Sequence, residues 1–234
     1  MAGAANAALT DFIGAELSQP TMPEATAFAE ALAARPGVVA ILFYGSCLQR
    51  GTTEGMLDFY ALTDGSHGAW GENRAIAAAG RALPPNVYPV EWNGLRAKVA
   101  VVPLEKFHRR MTLSTVDTTF WARFCQRAAL LWVRDDKTKD ATVAAVATGV
   151  ETASVWADRL SGTNVGADAW RALFAKTYRV EIRVEPRSRA GDIVGVDEQR
   201  FDDLWHLTAP ARTATPQIGR ASCRDSAEGW GGAG

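Results

Sequence analysis

VVAILFYGSCLQRGTTEGMLDFYALTD, residues 38–64, is the stretch on which the fold reading turns. An apolar run from Val38 to Tyr44 stops at Gly45-Ser46. A polar, glycine-bearing connection follows, and a second apolar run from Met56 to Thr63 carries a carboxylate, Asp58, in its interior. Short runs rich in branched and aromatic residues, bounded by turn residues, read as two strands. A carboxylate inside an apolar strand is costly unless it has a partner, and a metal ion is one such partner. A glycine closing the first strand lets backbone approach a phosphate closely. The plainer alternative is a turn in an ordinary α/β domain, with Asp58 capping or pairing structurally.

The 234 residues suffice for one large domain or two small ones, and the composition is that of a globular protein. A net charge of −1 gives no broad electrostatic case for nucleic acid, so none is expected as a partner. Cys47, Cys125 and Cys223 are scattered and form no zinc-like pair, which points to free thiols in a reducing compartment. No apolar run reaches the roughly 18–20 residues that span a bilayer. The first residues lack Lys and Arg and resemble neither a secretory signal nor a transit peptide. A cytoplasmic location is the default expectation.

Outward from the central stretch, Leu9 to Leu17 reads as a short helix, and Met22-Pro23-Glu24 opens a second that ends at Arg35-Pro36-Gly37. Ala69 to Leu83 reads as a helix and Val87 to Trp92 as a strand; Asn93-Gly94 is a tight hairpin signal leading to a strand from Leu95 to Val102. Pro103 opens a helix to about Met111. Thr119 to Trp132 reads as a mostly apolar helix carrying Arg123 and Arg127. Asp140 to Leu160, Asp168 to about Glu185, and a segment starting near Phe201 also read as helices. The expected fold class is α/β (α+β). A small mixed-sheet domain occupies 1–112 and a helical, winged-helix-like domain 113–212. Residues 213–234 have no periodicity, and Gln217 to Arg224, QIGRASCR, looks like a translated sequencing adapter. That stretch is read as a non-native or disordered tail and set aside.

The Gly-Ser turn after one strand, with Asp58 on the next, resembles the signature of the nucleotidyltransferase superfamily. The order of further pieces is similar to the mitochondrial-type phosphatidate cytidylyltransferases (CDP-diacylglycerol synthases) and their bacterial relatives. Those pieces are FYGS at Phe43 to Ser46, MLDFYALTD at Met56 to Asp64, Trp70 with Asn73, NVYPVEW followed by KVAVVPLEKF at Lys98 to Phe107, WARFCQRAALLW at Trp121 to Trp132, and TYRVEIRVE at Thr177 to Glu185. The resemblance covers roughly Val38 to Trp205. It implies transfer of CMP from CTP to phosphatidate at a membrane surface, giving CDP-diacylglycerol and pyrophosphate, with Mg²⁺ as cofactor. It also implies a protein peripheral on the inner face of the membrane; homo-oligomer formation is left open.

Carried over residue by residue, the resemblance implies that Gly45 and Ser46 cradle phosphates and Asp58 holds Mg²⁺. The usual second carboxylate, two positions on, is here Tyr60, which is placed with the substrate-binding residues. Asp64 and Glu91 are the nearest substitutes as metal ligands. Asp64 shares Asp58's nominal face but lies about 20 Å away by strand rise. Phosphatidate is already largely ionised near neutrality, so little is asked of a general base. Bringing two anions together instead calls for cations. Lys98, on an otherwise apolar strand, is the catalytic candidate, against the alternative of a sheet-edge lysine. Arg123 and Arg127, four apart on one expected helical face, are candidates for the phosphatidate headgroup or the triphosphate, against a solvated face. Trp70 and Asn73 are candidates to line the nucleotide pocket. Two other readings stand beside this one: nucleotidyl transfer to another acceptor, and a non-catalytic nucleotide-binding relative.

Overall fold

The computed structural model describes residues 6–65, 86–115, 118–162, 164–180 and 193–214, without the side chains of 178–180. The chain opens with helices α1 (Ala7–Leu17) and α2 (Pro23–Ala33), then strand β1 (Val38–Tyr44), the short helix α3 (Ser46–Arg50) and β2 (Met56–Thr63). β3 (Asn86–Trp92) and β4 (Leu95–Pro103) form a hairpin, followed by α4 (Leu104–Arg110) and α5 (Trp121–Phe124). β5 (Ala128–Val133) precedes the long helix α6 (Asp136–Ser161), then α7 (Gly166–Val180), α8 (Glu198–Leu207) and α9 (Ala209–Ala214).

The five strands form one mixed sheet in the order β3-β4-β2-β1-β5, which establishes the α/β fold class. β1 runs antiparallel to both neighbours, β2 and β5, and β2 runs parallel to β4. β1 and β2 sit centrally and, apart from Asp58, are apolar over most of their length, as strands covered on both faces must be. One face carries Ile41, Phe43, Phe59 and Val99, against which Phe28, Ala29 and Leu32 of α2 pack. Phe59 lies 5.4 Å from Phe28 and 5.1 Å from Phe43, centroid to centroid. The other face carries Leu42, Tyr60, Leu62 and Val102, packed beneath α1, α4 and α6. The β3–β4 hairpin turns at Asn93-Gly94, where both residues adopt positive φ, as a two-residue turn matched to strand twist requires.

One expected helix is corrected. Within Thr119 to Trp132 only Trp121–Phe124 is helical, and Ala128–Val133 is a strand at the sheet edge. AALLWV is a six-residue apolar run without helical periodicity, and its backbone finds partners on β1. The sheet is therefore completed by a strand from beyond residue 112. The expected helix at Ala69 to Leu83 lies outside the described residues. Among the described residues, no helix is long and apolar enough to cross a membrane.

Candidate functional site

The end of β1, the start of β2 and the start of β4 converge on Asp58. Tyr44 pairs with Asp58 across β1–β2, and Asp58 pairs in register with Lys98 across β2–β4. Register partners project to the same face, with neighbouring strands about 4.8 Å apart. An exposed ammonium-bearing side chain thus stands beside a half-buried carboxylate at one rim of the sheet.

Gly45 explains how the carboxylate is accommodated. Its backbone sits at φ +88°, a conformation that side-chain-bearing residues rarely adopt. A Cβ placed there would lie 2.7 Å from Asp58 Oδ2 and 3.3 Å from Asp58 Cβ. The missing side chain is the space the Asp58 carboxyl occupies. Ser46 opens α3 and is exposed beside this contact. Cys47, one residue on, is buried and donates its Sγ–H to the Met56 carbonyl at 3.4 Å, fastening α3 to the first residue of β2.

Other expected residues lie elsewhere. Tyr60 is 1% exposed and packs edge-on to Phe124 at 5.0 Å and Phe120 at 5.8 Å, inside the core, so its burial leaves no surface for a substrate. Asp64 sits at the opposite end of β2, where Arg134 Nη1 approaches its Oδ2 to 3.7 Å. Glu91 is exposed on β3, paired with Arg96 and separated from β2 by β4. Arg123 lies within the single turn of α5 and donates to Thr119 O at 2.8 Å. Arg127 lies past the end of that helix, so the two arginines do not share a helical face; its guanidinium pairs with Asp197 at 2.7 Å. Trp70 and Asn73 lie outside the described residues.

Sequence reasoning passed over a second set of groups at this same end of the sheet. Glu16 and Arg200 form a buried, two-pronged ion pair, with Arg200 Nη2 donating to Glu16 Oε1 at 2.9 Å and Arg200 Nε donating to Oε2. Arg200 Nη1 also donates to Cys125 O at 3.0 Å. The sequence signal was an arginine one helical turn before Leu204, on the stripe that α8 buries. Burial pushes the Cys125 thiol up to about 12, with the Arg200 charge opposing it more weakly. That thiol stays protonated and is no nucleophile.

Among the described residues, no group of three His, Cys, Asp or Glu side chains is placed to hold a metal ion. Asp58 offers a single carboxylate. Such a set does not retain a divalent cation alone; it fits one that already carries most of its oxygen ligands from bound phosphates.

No family model matches the chain, and no curated protein matches it. Among solved structures, the chain is similar to a nucleotidyltransferase-like protein from Exiguobacterium sibiricum 255-15, with 14% identity and a TM-score of 0.33, over 81% of this chain and 71% of that one.

Proposed function

We propose that the Gly45–Asp58–Lys98 rim is a nucleotidyl-transfer site that moves CMP from CTP to phosphatidate. The observation that carries this reading is the fit of the Asp58 carboxyl into the space left by Gly45, with Lys98 in register beside it. A half-buried carboxylate held against a glycine turn, next to an exposed ammonium, suits a reaction in which anionic phosphates must be positioned and neutralised.

In the reaction, a phosphate oxygen of phosphatidate attacks the α-phosphorus of CTP. The bond from that phosphorus to the bridging oxygen breaks, and pyrophosphate leaves with the electron pair. Gly45 and Ser46 border the phosphate chain, and Lys98 offsets charge between the two anionic reactants. Asp58 would hold Mg²⁺ jointly with the nucleotide's phosphates, and that ion supplies charge neutralisation when bound. The attacking phosphate is already ionised, which is consistent with a core Tyr60 where other nucleotidyltransferases would need a second carboxylate. The acceptor would be met at a membrane surface by a peripheral protein.

The test is pyrophosphate release from CTP and Mg²⁺, with and without phosphatidate vesicles. Lipid-dependent release that disappears in Asp58→Asn is the expected result. Release that persists in the folded variant removes Asp58 from the site. CTP-dependent release without lipid dependence assigns a different acceptor.

A further inference from the structure

One face of the β3–β4 hairpin is open beside Asp58. The two strands alternate. Val90, Ala97 and Val99 join the core that α2 covers, while Pro89, Glu91, Arg96 and Lys98 are exposed. On the open face the core stops at Ala100, 4% exposed, whereas its partner on β3, Val87, is 57% exposed. Pairing sets Arg96 opposite Met56 of β2 and Glu91 of β3, and Lys98 opposite Asp58 and Pro89. Arg96 and Lys98 are two residues apart on one strand, so both share Asp58's face, roughly 6–7 Å from each other along the strand.

These two cations stand apart from others in the protein. Arg127 pairs with Asp197, Arg134 with Asp135, Arg171 with Asp168 and Glu198, and Arg200 with Glu16. Among the described residues, the side chains of Arg96 and Lys98 enter no ion pair or hydrogen bond. That includes Glu91, directly across from Arg96 on β3. Two like charges held side by side without a partner repel each other, and an anion lying between them removes that cost.

Their position relative to Asp58 says which anion. Across the rim the order is the Gly45 turn after β1, Asp58 on β2, Lys98 on β4 and Pro89 on β3. In phosphoryl transfer the attacking and leaving oxygens stand roughly in line across the reacting phosphorus. With the nucleotide's pyrophosphate portion at the Gly45 turn, the attacking group comes from the β4 side.

Resting on the reading under Proposed function, we propose that Arg96 is an acceptor-binding residue: together with Lys98 it holds the acceptor's phosphomonoester group on the open β3–β4 face. A planar guanidinium meets such a dianion with two parallel donors, and an ammonium meets it as a point charge. Val87 and Pro89 lie alongside as exposed apolar surface for the lipid part of phosphatidate. A soluble phosphomonoester offers the same headgroup without that part.

The experiment measures equilibrium binding of monomeric dihexanoyl phosphatidate, glycerol 3-phosphate and inorganic tripolyphosphate to the full chain. Arg96→Gln should weaken phosphatidate about tenfold and leave tripolyphosphate unchanged. Undiminished phosphatidate binding in folded Arg96→Gln overturns the inference, as does an equal weakening of tripolyphosphate, which would give Arg96 to the nucleotide. Should Arg96→Gln not fold, Glu91→Gln decides. It removes the carboxylate that competes for Arg96, so phosphatidate should tighten about twofold. No change or a weakening there overturns the inference. Glycerol 3-phosphate binding as tight as phosphatidate, and equally dependent on Arg96, upholds the Arg96–Lys98 pair with a soluble phosphomonoester as acceptor. Tripolyphosphate binding without phosphatidate binding defeats this inference alone. Arg96-dependent phosphatidate binding without tripolyphosphate binding upholds the pair and defeats the nucleotidyl-transfer reading.

Discussion

At one end of β2 the Asp58 carboxyl fills the space left by Gly45 and stands beside Lys98; at the other end Asp64 meets an arginine. The second end is closed by the chain itself. Arg134 reaches both Asp64, at 3.7 Å, and Asp135, at 3.1 Å. Asp135 in turn caps α6, accepting the Thr138 N–H at 2.7 Å. At the first end Asp58 lies in register with Lys98 and against the Gly45 turn. Two carboxylates six residues apart, one inside β2 and one just past its end, thus meet different neighbours.

Five substitutions break or sharpen this contrast, from the largest effect to the smallest. At the Asp58 end, Arg200→Met leaves Glu16 buried without its partner, and should lower stability by about 3–5 kcal/mol in chemical denaturation. Asp58→Asn should cut pyrophosphate release by at least about 10²-fold while leaving the unfolding midpoint nearly unchanged. Gly45→Ala forces a Cβ to 2.7 Å from Asp58 Oδ2 at positive φ. It should lower stability by about 1–3 kcal/mol and shift the carboxyl, reducing release about tenfold or more.

At the closed end, Asp135→Ala should lower the thermal midpoint by a few degrees, with no effect on release beyond that loss. Its pH dependence has a definite sign. Bonds from Thr138, and then Arg134, hold the Asp135 carboxyl down at about 2, below its ordinary 3.8. Its contribution is therefore complete above about pH 4 and lost as the pH falls toward 2. Glu151 runs the other way: burial raises its pKa, against the Asn6 N–H bond, so its ionisation costs stability as the pH rises through the raised value. Acid unfolding of Asp135→Ala should begin at the same pH or higher with a shallower slope between pH 4 and 2. Asp64→Asn should change stability by less than about 0.5 kcal/mol and release by less than about twofold. A loss of release in Asp64→Asn matching that of Asp58→Asn would dissolve the contrast between the two ends.

The central strands, the hairpin and most helices were legible because their signals are local: apolar runs of strand length, Asn93-Gly94, and proline or glycine at element ends. β5 was not, because a six-residue apolar run looks alike in a buried strand and in a helix. Its partner, β1, lies far away in the chain. The same limit hid the site's geometry. Asp58 and Lys98 were both visible as charges on apolar strands, but their side-by-side register is a property of parallel pairing between β2 and β4. Arg123 and Arg127 were given a common face by a helix that stops at Phe124. Glu16 and Arg200 each looked like an ordinary helix residue, since each acquires its meaning only from the other.

That last pair has a consequence for how the protein is made. Glu16 and Arg200 are separated by 184 residues, so during translation the N-terminal helix leaves the ribosome long before its partner is synthesised. Until α8 emerges, α1 can dock on the growing sheet only by burying an unmatched carboxylate, which is strongly unfavourable. The final packing of the first helix is therefore held back until the eighth has been made, and α1 and α8 lock together in one late step.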